Sequence, residues 1–378
     1  MLKNKILQAY YNEICLDKDL LSYCSSRNRK YPSSFLYKSL KVLSFSKPKY
    51  IVFSFLSKTY SKIWYVLYIY VFFRFLLSLF SGQERLLKTD KNIGFIFSIK
   101  TIKDISLTKI SPILHINLNY KGVAKYCLMK DKYKAFILSI RVINEVRLLK
   151  KKEEKLIYSS LKLHLNDIYL VSMYVFLLLR MEKSGVDRVI ANGHYQRWSF
   201  LASHISMDKF TLVQHGKVKN DIVFKFKFGT INELFCFNAQ SYEYFSNYYQ
   251  VRSFNYVKQH VKLTKMQDSY KKRIFIASTP VSVEAELSFI ERFYEKTKGL
   301  DVAIYVKIHP LFEYKDQFNN VLDKVSFITD IYPYVDMMVT HGSSLGDEYL
   351  AMGQEVCFLQ NYNRMEDAAN HVHNCIFS

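Results

Sequence analysis

Cysteine is sparse and scattered. The six in 378 residues, Cys15, Cys24, Cys127, Cys236, Cys357 and Cys375, include no CxxC pair and no Cys/His spacing that would assemble a tetrahedral zinc site. That argues against a disulfide scaffold and against a zinc module. Residues 1–5 (MLKNK) carry neither the apolar stretch nor the small-residue cleavage site of a secretory signal, so a reducing, cytoplasmic setting is expected. Glycine and proline are few, 11 and 6, while 49% of residues are hydrophobic, which excludes a collagen-like or disordered chain. GxxxxGK[ST] is missing, as is GxGxxG, so neither a phosphate-loop NTPase nor a dinucleotide enzyme is supported. No fixed-period repeat suggests a solenoid.

What the chain has is length, positive charge and aromatic rings. At 378 residues it is too long for one ordinary core and suits two domains. Lys and Arg number 54 against 33 Asp and Glu, a net charge of +21. The first 90 residues hold about fifteen of those basic residues and about five acids. Such a block suits nucleic acid or anionic lipid, since both present dense phosphate. Aromatics make up 16%, with 30 Tyr and 29 Phe, and imply a membrane-facing or ligand-stacking surface. Residues 63–80, IWYVLYIYVFFRFLLSLF, form an apolar run near bilayer length but interrupted by Arg74. Three placements fit: a helix in the headgroup layer with Lys58, Lys62 and Arg85 toward anionic lipid, a buried core helix, or a membrane span.

From residue 91 onward the pattern alternates strand and helix. Residues 92–98 and 113–118 read as buried strands, 134–152 and 167–183 as helices, and 186–192, a helix from about 196, and 210–214 as a strand–helix–strand unit. Residues 242–272 read as polar and irregular, which places a boundary near 271. Beyond it come a buried strand at 274–277, a helix at 282–298, strands at 302–308, 325–328 and 336–340, a helix at 345–352 and a strand at 355–359. That rhythm predicts a second doubly wound parallel sheet.

In such sheets ligands bind beyond the carboxyl ends of strands, and polar residues cluster there. Lys307-Ile308-His309-Pro310 ends one strand, with Pro310 stopping strand pairing and His309 aimed to donate to a phosphate. Thr340-His341-Gly342-Ser343-Ser344 precedes a helix whose free N–H groups make an anion cradle, with Glu348 about one turn on, in reach of a ribose. Ser344 with Asp347 equally fits a helix-capping pair. Ser278 and Thr279 end the first strand of this unit and suit nucleotide contact or a cap. In the preceding unit, Gln214-His215-Gly216 and Asn192-Gly193-His194 end neighbouring strands. A neutral histidine removes a proton near pH 7, so His215 is the candidate general base, with His194, Gln214 and Gly216 on the acceptor side. Each of these also has a purely structural reading, a turn histidine beside a required glycine for instance.

On these residues the stretch from about 186 to 360 resembles nucleotide-sugar-dependent glycosyltransferases of the two-Rossmann GT-B type, especially the bacterial surface-polysaccharide group that includes sialyl- and polysialyltransferases. The KIHP loop and the paired serines with a following acid carry the likeness. It implies that His309 and Ser343-Ser344 bind the donor phosphate and Glu348 the ribose or base. One departure stands out: sialyltransferases have an acidic-acidic-Gly turn where this chain has Gln214-His215-Gly216. A His-Gly turn and the run from Ser343 to Tyr349 are also similar to CDP-glycerol glycerophosphotransferases, and QHG turns occur in Kdo-transferring relatives. A metal-dependent GT-A transferase would want an acidic pair after a strand, and the only DxD, Asp17-Lys18-Asp19, sits in the basic leader.

The expectation is therefore an α/β, GT-B chain: a basic helical extension at 1–90, a Rossmann-like acceptor domain at 91–270 and a Rossmann-like donor domain at 271–378, facing a cleft. It would move a sugar, sialic acid or Kdo from a CMP-sugar, onto a capsule, O-antigen or lipooligosaccharide acceptor. His215 and His309 would be catalytic, and Lys307, His309, Pro310, Ser278, Thr279, Ser343, Ser344 and Glu348 would hold the donor. No metal or other cofactor is expected, the cations replacing it. The expected partners are the activated nucleotide, a glycan or lipid-linked acceptor and an anionic membrane surface, on the inner face of the plasma membrane. CDP-glycerol chemistry is the alternative. A basic nucleic-acid binder is the non-enzyme rival, without any RRM, KH, zinc-finger or helix-turn-helix signature to support it.

Overall fold

A parallel strand covered on both faces has no polar alternation to display, so its sequence is a short apolar run. The inner strands of the first sheet at residues 92–96, 188–191 and 210–213 are such runs. The computed structural model describes residues 1–25, 64–84, 86, 89–96, 99–149, 161–162, 164–193, 195–216, 218, 224–257, 261–279, 282–308, 315–341 and 343–378. These fall into two compact units, one holding the described residues up to Val257 and the other those from Val261. In chain order the first unit runs α1 (Leu2–Ser25), α2 (Trp64–Leu79), β1 (Asn92–Ile96), α3 (Ile99–Ser106), β2 (Leu114–Asn117), α4 (Tyr120–Tyr126), α5 (Met129–Leu149), α6 (Ile168–Glu182), β3 (Arg188–Ala191), α7 (Arg197–Ile205), β4 (Phe210–Val213), β5 (Thr230–Cys236), α8 (Ala239–Tyr248) and β6 (Gln250–Tyr256). All six strands are parallel, in the order β2-β1-β3-β4-β5-β6. Alternate residues feed two cores: Ile93, Phe95, Val189, Ala191 and Leu212 on one face, and Ile96, Ile190, Val213 and Phe235 on the other.

The sequence reading leaves 242–272 irregular, whereas the structure places the end of α8 and the whole of β6 there. The reason is position: β6 is an edge strand, exposed along nearly its whole length, so it has no apolar run to show. β5 escapes notice for a related reason. Its TINELFC sequence carries Asn232 and Glu233 mid-strand, and Glu233 is answered by Arg188 at 3.2 Å and Asn255 at 3.0 Å.

The basic leader is also more than an extension. Ile6, Tyr10 and Ile14 of α1, at helical spacing, and Leu67 and Val71 of α2 are buried in the same core as the first sheet. At about 1.5–3 kcal/mol for each large side chain fully removed from water, five such residues fasten both helices to the sheet unit. Most of the basic residues counted in the leader, those between Arg27 and Lys62 with Arg85 and Lys88, lie outside the described residues. Polar bonds add to the apolar packing: the buried Lys132 of α5 donates from Nζ to Ser78 O at 2.7 Å and Ser81 Oγ at 2.9 Å, which places a cation at the C-terminus of α2. No helix among the described residues is long and apolar enough to cross a membrane. Lys58, Lys62 and Arg85 lie outside the described residues.

The second unit contains β7 (Lys272–Ala277), α9 (Val283–Thr297), β8 (Val302–Lys307), β9 (Ser326–Phe327), β10 (Met337–Thr340), α10 (Ser344–Ala351), β11 (Val356–Phe358) and α11 (Met365–Phe377). Its five strands are parallel in the order β11-β10-β7-β8-β9. Successive residues of β7 again part company, Ile274 and Ile276 entering one core and Phe275 and Ala277 another. Two α/β units with parallel sheets wound on both faces are therefore present, as the sequence pattern predicts.

Two histidines make the first unit acid-sensitive. Burial lowers the pKa of His115 on β2, and burial with nearby Lys5 lowers that of His204 on α7, both from the ordinary 6.5. The folded state thus holds neutral imidazoles that the unfolded chain protonates first. Below about pH 6.5 the unfolded state binds more protons, so stability is lost as pH falls toward the folded-state values. We expect the unfolding midpoint to drop between about pH 7.5 and 5.5, and to drop less in His204→Gln, whose amide still donates to Phe200 O as Nδ1 does at 2.9 Å. An identical pH slope in the variant would assign the loss elsewhere.

Candidate functional site

In an open parallel sheet the crevice lies outside the carboxyl ends of the strands, where the strand order reverses. In the first unit that point is between β1 and β3, since β2 lies on one side of β1 and all later strands on the other. Three polar side chains from three connections meet there. Asn192 follows β3 directly, Asp104 lies on α3 after β1, and His215 comes two residues past β4. Asn192 Nδ2 donates to Asp104 Oδ2 at 2.8 Å, and the same oxygen sits 2.6 Å from His215 Nδ1. The Asp104 side chain is 6% exposed and that of His215 43%, so the carboxylate is held in the protein and the ring reaches outward. A carboxylate only accepts, so the neutral imidazole donates from Nδ1 and carries its lone pair on Nε2. The result is an imidazole whose tautomer is set by a buried acid, itself oriented by an amide.

The Gln-His-Gly turn explains itself around this pair. Gln214 is buried, takes a hydrogen bond from Phe237 N at 2.9 Å through Oε1, and donates from Nε2 to Gly216 O at 2.8 Å. It clamps the turn across to the segment after β5. Gly216 has φ +68°, the left-handed region that a side chain resists. The flanking residues therefore fix the backbone, and His215 between them is presented to solvent. Gln214 and Gly216 act on the turn's shape.

In the second unit the strand order reverses between β7 and β10, and the sequence-predicted donor residues cluster at those ends. Ser343 is the N-cap of α10, its Oγ accepting from Leu345 N at 3.3 Å while its own N–H donates to Thr340 Oγ1 at 3.2 Å. The cap thus falls one residue before Ser344, and position N3 is Gly346 rather than Asp347. Gly346 has a packing reason: an added Cβ would lie 2.8 Å from Phe358 Cε1 and 2.9 Å from Thr340 Cγ2. Its absence lets the helix start sit close against β10 and β11. Glu348, half-buried on α10, precedes Tyr349, whose hydroxyl donates to Pro333 O at 2.9 Å.

At the end of β7, Ser278 is buried and donates to Glu286 of α9, and Ser282 Oγ donates to the same carboxylate. Thr279 N also donates to it, at 3.2 Å, and Thr279 Oγ1 meets Ser282 Oγ at 2.7 Å. The turn after β7 is thus held by a wholly buried acid that gathers hydroxyl and backbone donors. Lys307 ends β8 beside Ala277, donates from Nζ to Thr329 O at 3.1 Å and lies 4.6 Å over the Tyr332 ring. His194, His309, Pro310 and Gly342 lie outside the described residues.

Sequence reasoning misses Asp104 and Glu286, and Asn192 as a partner. For Asp104 the pattern misleads, because α3 buries Asp104 and leaves Ile102 36% exposed, the reverse of a hydropathy reading. Among the described residues no three His, Cys, Asp or Glu side chains gather as a metal cluster would.

No protein-family model matches the chain, and no curated protein does. Among solved structures, UDP-GlcNAc 2-epimerase from Neisseria meningitidis bound to UDP-GlcNAc aligns with a TM-score of 0.39 at 10% identity, over 74% of this chain and 85% of that one. Glycosyltransferase VinC in complex with dTDP aligns with a TM-score of 0.36 at 7% identity, over 78% of this chain and 91% of that one. Likenesses this shallow assign neither a family nor an activity, and the site has to be read from its own residues.

Proposed function

We propose that this chain is a nucleotide-sugar-dependent transferase whose first unit activates an acceptor hydroxyl and whose second unit holds the donor nucleotide. The observation that carries the reading is the Asp104–His215 pair, 2.6 Å apart and backed by Asn192, at the point where the first sheet reverses its strand order. His215 Nε2 takes the proton of the acceptor hydroxyl as that oxygen bonds to the donor carbon. The bond from this carbon to the phosphate oxygen breaks, and the nucleotide leaves with the electron pair. A single displacement of this kind inverts the carbon. Charge developing on the phosphate is met by the positive dipole end of α10 at Ser343 and Ser344, with Lys307 and His309 as the cations that take the place of a metal, while Glu348 receives the ribose. The donor is a CMP-activated sialic acid or Kdo, and the acceptor a capsule, O-antigen or lipooligosaccharide glycan. The His215-Gly216 turn also favours a second reading, transfer of glycerol phosphate from CDP-glycerol.

Thermal unfolding with CMP, CDP, UDP and GDP tests this, because a ligand that binds only the folded state raises the midpoint, by the equivalent of about 2.7 kcal/mol at a hundred times Kd. CMP is expected to raise it and His309→Ala to abolish the rise. A shift with CDP instead selects glycerol-phosphate transfer. No shift with any nucleotide rejects the transferase reading.

A further inference from the structure

We propose that the outer faces of α2 and α5 together form a docking surface for an anionic lipid bilayer. The inward stripe of α2 is taken up by the core, yet Tyr65, Ile69, Phe72, Phe73 and Leu77, with Phe80 just past the helix end, are 47–87% exposed on the other side. Six large apolar side chains in one stripe exceed the scattered exposure usual for a folded surface. Arg74, the only charged residue of α2, is turned out of that stripe. Its guanidinium lies 4.2 Å over the Tyr120 ring and 5.0 Å over Tyr70, and Nε donates to Tyr70 Oη at 2.9 Å. The charge that interrupts the run in sequence therefore does not interrupt the exposed face.

α5 runs antiparallel to α2, as three pairs show: Tyr68 Oη donates to Asn144 Oδ1, Phe75 stacks on Phe136 at 4.9 Å, and Lys132 reaches Ser78 O. The exposed residues of α5 hence border the apolar stripe, and they are Lys130, Lys134, Arg141 and Arg147 with Met129, Tyr133, Asn144 and Leu148 among them. Its two acids are engaged elsewhere, Asp131 buried against Arg180 at 3.3 Å and Glu145 paired with Lys3 at 2.6 Å. An apolar helix face bordered by cations matches the headgroup layer, where rings and aliphatic chains enter the acyl boundary and ammonium groups meet lipid phosphate. A second copy of this chain is a poorer occupant. A two-fold contact through this face would bring the same four cations toward their own copies. This inference stands apart from the transferase reading, since it involves none of the residues placed at the two sheet ends.

Truncation is unsuitable as a test, because α2 also fills the core, so point substitutions on exposed positions are used with the full chain. The chain is sedimented with phosphatidylglycerol/phosphatidylcholine vesicles and with pure phosphatidylcholine. It is expected to bind the first strongly and the second weakly. Phe73→Glu/Leu77→Glu should lower binding to both at least about tenfold, and Lys130→Glu/Lys134→Glu should lower it at least about tenfold on the anionic vesicles only. Circular dichroism melts of both variants should match the parent. A chain that stays in the supernatant with anionic vesicles overturns the proposal, as do folded variants that sediment unchanged. A concentration-dependent dimer dissolved by Phe73→Glu/Leu77→Glu, without lipid binding, would assign the face to a second copy and overturn it equally.

Discussion

His215→Gln is expected to lower kcat by about 10²–10⁴, the usual worth of a positioned general base, while the midpoint shift produced by the bound nucleotide stays the same. The ring is 43% exposed and its neighbours Gln214 and Gly216 set the turn, so the substitution leaves the fold intact. Asp104→Asn is expected to cost a comparable amount for a different reason. An amide can present N–H toward Nδ1, which moves the lone pair to the wrong nitrogen and leaves Nε2 protonated. Nucleotide release in the presence of an oligosaccharide acceptor measures both variants. If both keep parental kcat, the pair is structural and the base lies elsewhere. If Asp104→Asn alone loses activity, its circular dichroism melt tells misfolding of a buried position from a changed tautomer. Asn192→Ala should lose less than either, since it orients the carboxylate and touches no reacting atom.

The elements most legible in the sequence are those whose residues answer to a single demand. β7, β8 and β10 are covered on both faces, so IFIA, AIYV and MMV have to be apolar throughout, and they stand out. The Gln-His-Gly segment is legible as a turn because a glycine after a buried strand suits a left-handed residue, which Gly216 supplies at φ +68°. β6 answers to two demands at once, pairing on one edge and solvent on the other, and its composition blurs into loop. Asp104 is hidden by long-range context: the carboxylate is welcome inside α3 only because Asn192, 88 residues on, and His215, 111 residues on, supply donors. The apolar run at 63–80 fits a core helix, an interfacial helix or a membrane span by sequence. With Leu67 and Val71 buried and Ile69 and Phe73 exposed, one helix does the first with one face and leaves the other outward.

The second large effect is expected at Arg197, the first residue of α7. Its guanidinium is 7% exposed, donates to Glu13 of α1, and donates to Asp167 Oδ1 at 2.8 Å, with the Tyr10 ring 4.3 Å away. Burial works against that charge, and Asp167, Glu13 and Tyr10 more than restore it, holding the pKa above the ordinary arginine value. Tyr10, whose own pKa burial and Asp167 push well up, stays a donor to Asp167 at 2.6 Å. Glu13 does a second task, accepting from Arg197 N at 2.6 Å, so a residue 184 positions away caps a helix whose own N-cap, Gln196, makes no side-chain bond. Arg197→Met would leave two carboxylates near the core without their cation. We expect a loss of about 3–5 kcal/mol, or roughly 6–20 °C at the 2–4 °C per kcal/mol typical of a unit this size. Glu13→Gln/Arg197→Met should be more stable than the two single losses added together, because the second change removes the charge that the first one stranded. A midpoint within about 2 °C of the parent in Arg197→Met would show that water already serves these carboxylates and that α1 is held by its apolar stripe alone. Because α7 begins five residues after Asn192, loss of the Arg197 network is expected to loosen the Asn192–Asp104–His215 chain as well. A variant still folded at assay temperature should therefore lose kcat before it loses nucleotide binding.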